Sequence, residues 1–285
     1  MGAISRTFRI PTAADSKAAS SPMQTVIASS QNQDTATEIH IHEPALTEDN
    51  LGLKTWASSY VLARKWHELR DTILFSPQKQ DSESPPDLLL ELGAGTGLVG
   101  IAAAAVLGVD VLLTDLPGIV TNLARNADVN ADNISFRGGS IAVAVLDWSK
   151  PEDVRFVDGI DDSEPARPVK AASRTWKHNL EAGGSASLVV AADPIYSTEH
   201  PRLLSHAIER HLARAKAARA IVEMPIREAY AEERSSFLQC MRDIGLELLS
   251  ESNDIGYDDW SEGNGDELAE VECWMTIWAW KTIHI

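Results

Sequence analysis

The sequence LLLELGAGTGLVG spans residues 88–100 and joins an apolar run to a series of glycines. The apolar run predicts a short buried strand, and the residues at 97–108 predict the helix that follows it. A strand that turns sharply into a helix needs glycine where φ is positive, and absent side chains let a ligand approach the backbone and the helix N-terminus. The stretch therefore predicts a strand–loop–helix unit that holds a polyanionic or nucleotide-like ligand.

The alternation of strands and helices continues towards the C-terminus. Strand-like runs recur at 110–115, 141–148, 187–196 and 218–225. Helical patterns lie at 116–130 and 199–216. This order predicts a doubly wound, mostly parallel sheet. Two last strand-like runs, at 245–252 and 271–280, should pair antiparallel at the edge of the sheet. The predicted fold class is α/β, with a Rossmann-like, seven-stranded sheet and helices on both faces.

Composition divides the 285 residues into three parts. Residues 1–46 contain few large apolar groups and are predicted to be a disordered tail. Residues 47–80 should form a helical segment, because apolar residues recur with helical spacing from Leu53 to Leu69. Residues 81–285 should form the main domain. Inside it, a polar insertion at about 151–185 and an acidic loop at 254–270 have no assigned role; the loop is either a solvated connection or a docking lip for a basic partner.

Charge and composition limit the function classes. The net charge of -17, without a dense block of Lys and Arg, argues against direct nucleic-acid binding. No apolar run reaches the roughly 18 to 20 residues of a membrane span, and the N-terminus lacks the apolar core of a secretory signal. Cys240 and Cys273 stand far apart without metal-ligand neighbours, so neither a disulfide nor a metal site is predicted. We expect a monomer in the cytoplasm, with the nucleus as the second compartment.

Two enzyme classes share the physics of the glycine loop. The G-x-G-x-x-G pattern at 95–100 and Asp115, at the end of the next strand, fit a dinucleotide-dependent dehydrogenase. Glu91, however, stands immediately before the loop. A carboxylate that points into the crevice there would repel a pyrophosphate and attract a sulfonium or ammonium group. This residue favours S-adenosylmethionine over a dinucleotide.

With Gly93, Gly95 and Gly97 following Glu91, the sequence resembles the seven-strand S-adenosylmethionine-dependent methyltransferases. The resemblance implies that these glycines contact the cofactor and that Glu91 lies near its amino-acid end. It also implies that Asp115 binds both ribose hydroxyls.

The sequence LDW at 146–148 ends the third predicted strand. The resemblance implies that Asp147 hydrogen-bonds the adenine edge and that Trp148 contacts the same base. An Asp-Trp pair at a strand end can also simply cap a turn, so both readings stay open.

Two further motifs resemble methyltransferase family 16, the protein-lysine methyltransferases. Asp193 and Tyr196 form D-x-x-Y after the fourth strand, and Trp56 lies in the upstream stretch TWASSYVLARKW. The resemblance spans roughly residues 50 to 280. It implies basic protein substrates such as translation elongation factors.

The variant of the D-x-x-Y motif suggests the acceptor. A carboxylate such as Asp193 can orient an amine and help to take its proton, while Tyr196 packs against a methylene stem. Trp56 is assigned to the cofactor site and, with Tyr196, to the wall of a lysine channel. Asp193 can alternatively cap the next helix. The rival functions are a small-molecule N- or O-methyltransferase and a non-catalytic cofactor-binding regulatory protein.

Overall fold

The computed structural model describes residues 2–12, 35–45, 51–70, 88–157, 176–177, 179–180, 185–258 and 269–281. The strands in these ranges are β1 (Ile4–Pro11), β2 (Ala36–Glu43), β3 (Leu88–Leu92), β4 (Asp110–Asp115), β5 (Ser140–Val145), β6 (Arg155–Phe156), β7 (Leu188–Ala192), β8 (Arg219–Pro225), β9 (Leu246–Asp258) and β10 (Ala269–Trp280). The helices are α1 (Ala57–Arg64), α2 (Trp66–Leu69), α3 (Leu98–Leu107), α4 (Val120–Val129), α5 (Ala131–Phe136), α6 (His200–His211) and α7 (Ala231–Asp243).

One sheet of eight strands, in the order β6-β5-β4-β3-β7-β8-β10-β9, forms the centre of the fold. Strands β5, β4, β3, β7 and β8 are parallel, and β10 pairs antiparallel with both β8 and β9. The predicted α/β class with an antiparallel C-terminal strand is confirmed. Strand β10 lies one place inside the edge strand β9, and the short β6 adds an eighth strand at the opposite edge.

The strand order reverses at β3, with β4 and β5 on one side and β7 and β8 on the other. In open α/β sheets, ligands bind in the crevice outside the carboxyl ends of the strands at such a reversal. The loops after β3, β4 and β7 therefore meet at the place where a ligand site is expected.

Helices cover both faces of the sheet. All five residues of β3 are buried, as expected for a central parallel strand. Leu89 packs into the core under α1, α3, α4 and α5, whereas its neighbours Leu88 and Leu90 pack under α6 and α7. Side chains alternate between the faces of a strand. Glu91 must therefore share the α3 face with Leu89, which decides the direction of its carboxylate.

A two-stranded antiparallel sheet precedes the main domain. Strand β1 pairs with β2 from Ile4↔Glu43 to Pro11↔Ala36. Ile10, Ile39 and Ile41 are at most 1% exposed and join the core around α3. The prediction of a disordered tail over residues 1–46 is therefore wrong for β1 and β2. In β2, isoleucine alternates with polar residues, which is a pattern typical of a strand. The prediction of disorder relied instead on the many small residues of the whole segment.

Two buried asparagines attach β2 to the main domain. Asn126 accepts a hydrogen bond from the His42 N–H (2.9 Å) and donates to the His42 carbonyl (3.1 Å). Asn130 does the same for His40, at 2.8 and 2.7 Å. Each side-chain amide thus pairs with the N–H and C=O of one β2 residue, as the backbone of a neighbouring strand would do. Asn126 also donates to the carbonyl of Thr96 in the glycine loop (2.9 Å), so this attachment reaches the ligand crevice.

Several predicted segments are described only in part. Helices α1 and α2 lie within the predicted helical segment of residues 47–80. Residues 254–258 and 269–270 of the acidic loop belong to β9 and β10, and its centre lies outside the described residues. Most of the polar insertion at 151–185 lies outside them as well. No helix in the described ranges is long and apolar enough to cross a membrane.

Replacing Asn126 by alanine should lower the free energy of unfolding by about 2 to 4 kcal/mol, because the Thr96 carbonyl and the His42 N–H would lose their buried partner. Urea unfolding of the purified variant measures this change. Asn133→Ala is the matched control, since the exposed Asn133 amide makes one bond to the Glu38 carbonyl and its loss should cost below about 1 kcal/mol. An equal loss in both variants would contradict this role for Asn126.

Candidate active site

The loop after β3 brings bare backbone to the ligand crevice. Gly93, Gly95 and Gly97 all have left-handed backbone, with φ of 67°, 58° and 89°. A Cβ at Gly93 would lie 2.9 Å from the Trp148 ring, and one at Gly97 would lie 2.6 Å from Leu123 Cδ1. Both the conformation and the space therefore require glycine here. The three glycines can present only N–H and C=O groups to a ligand, and the side chains of Ala94 and Thr96 between them are buried.

Asp115, the last residue of β4, stabilises this loop. Its Oδ2 atom accepts a hydrogen bond from the Gly95 N–H, and its Oδ1 atom accepts one from the Leu116 N–H, both at 2.7 Å. Burial raises the pKa of Asp115 to about 6, so the side chain is a carboxylate at neutral pH. A partly exposed carboxylate beside a bare loop is suited to accept hydrogen bonds from paired hydroxyls.

Glu91 lies beneath the loop rather than in the crevice. Its side chain is 2% exposed, and its Oε2 atom accepts a hydrogen bond from the Gly100 N–H in the first turn of α3 (2.8 Å). The expectation of a carboxylate that points into the crevice is therefore wrong. Burial raises the pKa of Glu91 to about 8, against the opposing effect of the Gly100 hydrogen bond. Its observed contacts stabilise the start of α3.

The two residues after β5 point in different directions. The Asp147 Oδ1 atom accepts a hydrogen bond from the Ser149 N–H (2.8 Å), and the contacts with Ser149 lower the pKa of Asp147. This exposed carboxylate therefore caps a turn. Trp148 is partly buried, lies against Gly93 and meets the ring of His200 edge-on at 5.8 Å. The structure thus brings Trp148 to the glycine loop, whereas Asp147 makes a local contact.

The loop after β7 carries Asp193 and Tyr196. Asp193 has a φ of 52°, the only positive value outside glycine in the described residues. Its N–H donates to the Glu223 carbonyl at 2.8 Å. A left-handed aspartate is an uncommon backbone state that the surrounding structure must stabilise. Tyr196 is 50% exposed, and its ring meets that of His200 edge-on at 4.2 Å.

Tyr196 links the two halves of the site. Burial raises its pKa, and the carboxylates of Asp115 and Asp193 raise it further. Its phenol is therefore within electrostatic reach of both acids. His200 contacts both Trp148 and Tyr196 and completes this aromatic group. Within the described ranges, no cluster of three His, Cys, Asp or Glu side chains could hold a metal ion.

Three charged side chains, those of Asp193, Arg227 and Asp258, lie close together. Nη2 of Arg227 lies 3.6 Å from Oδ2 of Asp193 and 3.6 Å from Oδ2 of Asp258. The Arg227 guanidinium also lies 5.6 Å from the centre of the Trp56 ring. Burial raises the pKa of Asp193 to about 6, while Arg227 opposes this shift. The structure therefore places Trp56 beside this charged group.

Arg227 and Asp258 were not predicted as site residues. Arg227 lies two residues after Pro225, where β8 ends. Asp258 ends β9 at the start of the acidic loop, where its charge is one among many. The position of Arg227 just after a predicted strand was a sequence signal that could have identified it as a site residue. No such signal in the sequence identified Asp258.

Comparisons with known proteins show which proteins this chain is similar to. Residues 33–161 match a family model described as lysine methyltransferase. The chain is 33% identical over 234 residues to the protein-lysine N-methyltransferase EFM2 of Saccharomyces cerevisiae, with 79% of this chain and 49% of EFM2 covered. It is 34% identical over 241 residues to the protein-lysine N-methyltransferase rrg1 of Schizosaccharomyces pombe, with 84% of this chain and 65% of rrg1 covered.

A shorter match, 36% identical over 92 residues, covers 30% of this chain and 38% of the EEF1A lysine methyltransferase 3 of Xenopus tropicalis. The chain thus spans between half and two thirds of the length of the first two relatives.

Replacing Glu91 by glutamine should flatten the pH dependence of stability. The folded protein holds the Glu91 proton up to about pH 8, whereas the unfolded chain releases it near 4.5, so this group makes the protein less stable as pH rises through that window. Glutamine removes the effect, worth about 1.4 kcal/mol per pKa unit. Urea unfolding should therefore show the variant gaining stability relative to wild type between pH 4 and pH 9. The exposed Glu247→Gln should show no such gain; a constant difference for Glu91→Gln would contradict the burial argument.

Proposed function

Because residues 33–161 match the lysine methyltransferase family model and two protein-lysine N-methyltransferases are 33% and 34% identical to this chain, we propose that it transfers a methyl group from S-adenosylmethionine to the ε-amine of a protein lysine. One observation carries the proposal. The bare glycine loop and the Asp193–Tyr196 loop face each other across the reversal of strand order, so a cofactor and an amine acceptor have adjacent places. The relatives over most of this chain are protein-lysine N-methyltransferases.

The residues present fit this cofactor. The glycines of the loop at 93–97 would lie against its amino-acid end, Asp115 would accept hydrogen bonds from its ribose hydroxyls, and Trp148 would lie against its adenine. When bound, S-adenosylmethionine supplies an electrophilic methyl group on a sulfonium sulfur. The negative surroundings of Asp115 and Asp193 suit this cation better than a pyrophosphate.

The acceptor half of the site can prepare a lysine. Asp193 is a carboxylate at pH 7 because its pKa is about 6, so it can accept a hydrogen bond from the ammonium group and help to remove a proton. The amine freed of its proton in this way would present its lone pair to the methyl group of bound S-adenosylmethionine. Tyr196 and Trp56 line the approach with aromatic rings. The chain's main task is to hold the two centres about 3 Å apart.

A basic site on a protein is the substrate that we propose, and a translation elongation factor is the leading candidate. The net charge of -17 favours a basic partner, and the relative from Xenopus tropicalis is named for EEF1A. A monomer that acts in the cytoplasm, where translation takes place, is consistent with this substrate.

S-Adenosylhomocysteine should bind the purified protein with micromolar affinity in calorimetric titration, and Asp115→Asn should weaken it at least about tenfold (about 1.4 kcal/mol), because the ribose hydroxyls lose a charged acceptor. Asp132→Asn, at an exposed position of α5, is the control and should bind like wild type. Binding of NADH without binding of S-adenosylhomocysteine would refute the cofactor and restore the dehydrogenase alternative.

Asp193→Asn should reduce methyl transfer to lysate proteins about 100-fold or more, while S-adenosylhomocysteine affinity stays within about threefold. Incorporation of labelled methyl groups measures this loss. The wild-type rate should fall as the pH drops below about 6, since protonation removes the Asp193 carboxylate. The residual activity of the variant should lack this inflection. A large loss of cofactor affinity would instead make Asp193 a cofactor residue.

A further inference from the structure

Arg227 lies between two buried carboxylates in the acceptor half of the site. The side chains of Asp193 and Asp258 are 7% and 9% exposed, whereas that of Arg227 is 34% exposed. The two acids thus converge on one cationic group, and that group has a path to solvent. They come from different elements of the sheet, Asp193 from the loop after β7 and Asp258 from the end of β9.

The contacts of Arg227 with both acids are longer than hydrogen bonds. Each N···O distance is 3.6 Å, beyond the range of about 2.7 to 3.2 Å for N–H···O bonds. The Oδ1 atom of Asp193 is buried and has no hydrogen-bond partner among the described residues. Leaving such an acceptor unpaired is costly. The pair of acids therefore attracts Arg227 by charge while part of its hydrogen-bonding capacity stays unused.

A primary ammonium group matches this unused capacity. It carries three N–H donors on a compact centre, whereas the planar guanidinium presents its donors in a rigid fork. With both acids ionised, the three side chains carry a net charge of -1, and a lysine ammonium that displaces the guanidinium keeps this balance because one monocation replaces another. The Trp56 ring beside Arg227 can pack against the methylene stem of an entering lysine.

We propose that Asp193 and Asp258 together bind the substrate ammonium group, and that Arg227 holds this position until a lysine displaces it. This inference rests on the proposed function and assigns a role to two residues outside the D-x-x-Y motif. It also sets the acceptor class. A neutral amide or hydroxyl cannot replace the positive charge between the two acids, whereas an alkylammonium can.

The local contacts of Asp258 make a sharp test possible. Its Oδ1 atom accepts a hydrogen bond from the Ala57 N–H at the start of α1 (2.9 Å), while Oδ2 faces Arg227. Asp258→Asn removes the charge and keeps an oxygen for this cap. Arg227→Met removes the competing cation and keeps an aliphatic stem beside Trp56. Asp254→Asn, four residues upstream on β9 and paired with Lys65, is the matched control for loss of an acid.

The probe is Nα-acetyl-lysine methylamide, titrated by NMR into the full chain saturated with S-adenosylhomocysteine. Arg227→Met should bind it about tenfold more tightly than wild type, and Asp258→Asn about tenfold more weakly. Asp254→Asn should bind it like wild type. The uncharged norleucine analogue should not show these differences in affinity among wild type and the three variants, because it carries no positive charge. Thermal melting and S-adenosylhomocysteine affinity verify that each variant is folded.

Weaker binding to Arg227→Met would overturn the displacement role, and unchanged binding to Asp258→Asn would overturn the second carboxylate. Absence of probe binding to both wild type and Arg227→Met would overturn the proposal as a whole. Failure of the proposed function is a separate result. In that case the wild-type protein binds no S-adenosylhomocysteine and transfers no labelled methyl group to lysate proteins, and both measurements are made before the probe is added.

Discussion

The close packing of the glycine loop against its neighbours is the constraint on which the site depends. Side chains from α4 and from the turn after β5 leave no room for a Cβ at Gly97 or Gly93. Asp115 then holds the loop through the Gly95 N–H. Because the loop is bare and held in place, the carboxyl end of β3 can accept a ligand without rearranging its own backbone.

The same loop connects the main domain to the N-terminal strands. Thr96 offers its carbonyl to Asn126 and its hydroxyl to Thr55, whose N–H donates to Glu43 of β2. Strand β2 in turn covers α3, a helix that is apolar on all sides and must be buried all round. The N-terminal strands are therefore part of the core and also of the support beneath the cofactor loop.

Much of the site followed from local sequence pattern. The glycines and Asp115 were identified because a bare turn and an acid at a strand end are short-range features. Asp193 and Tyr196 were placed correctly at the end of β7. Glu91 was placed on the wrong side, although strand alternation puts it on the Leu89 face under α3. Asp147 showed the limit of this reasoning, since a carboxylate at a strand end can bind a ligand or cap its own turn.

The sequence by itself determined the parallel sheet, the bare loop and the acids at the strand ends, because each depends on residue type and spacing within one segment. Only the tertiary structure decided that Arg227 meets Asp193 and Asp258, and that β1 and β2 cover α3. These contacts join residues far apart in the chain, and their geometry depends on the pairing of β8 and β9 with β10. Charge pairing of this kind has no periodic signal in the sequence. Nothing in the sequence distinguishes Asp258 from the other acidic residues of 254–270 before the strands are packed together.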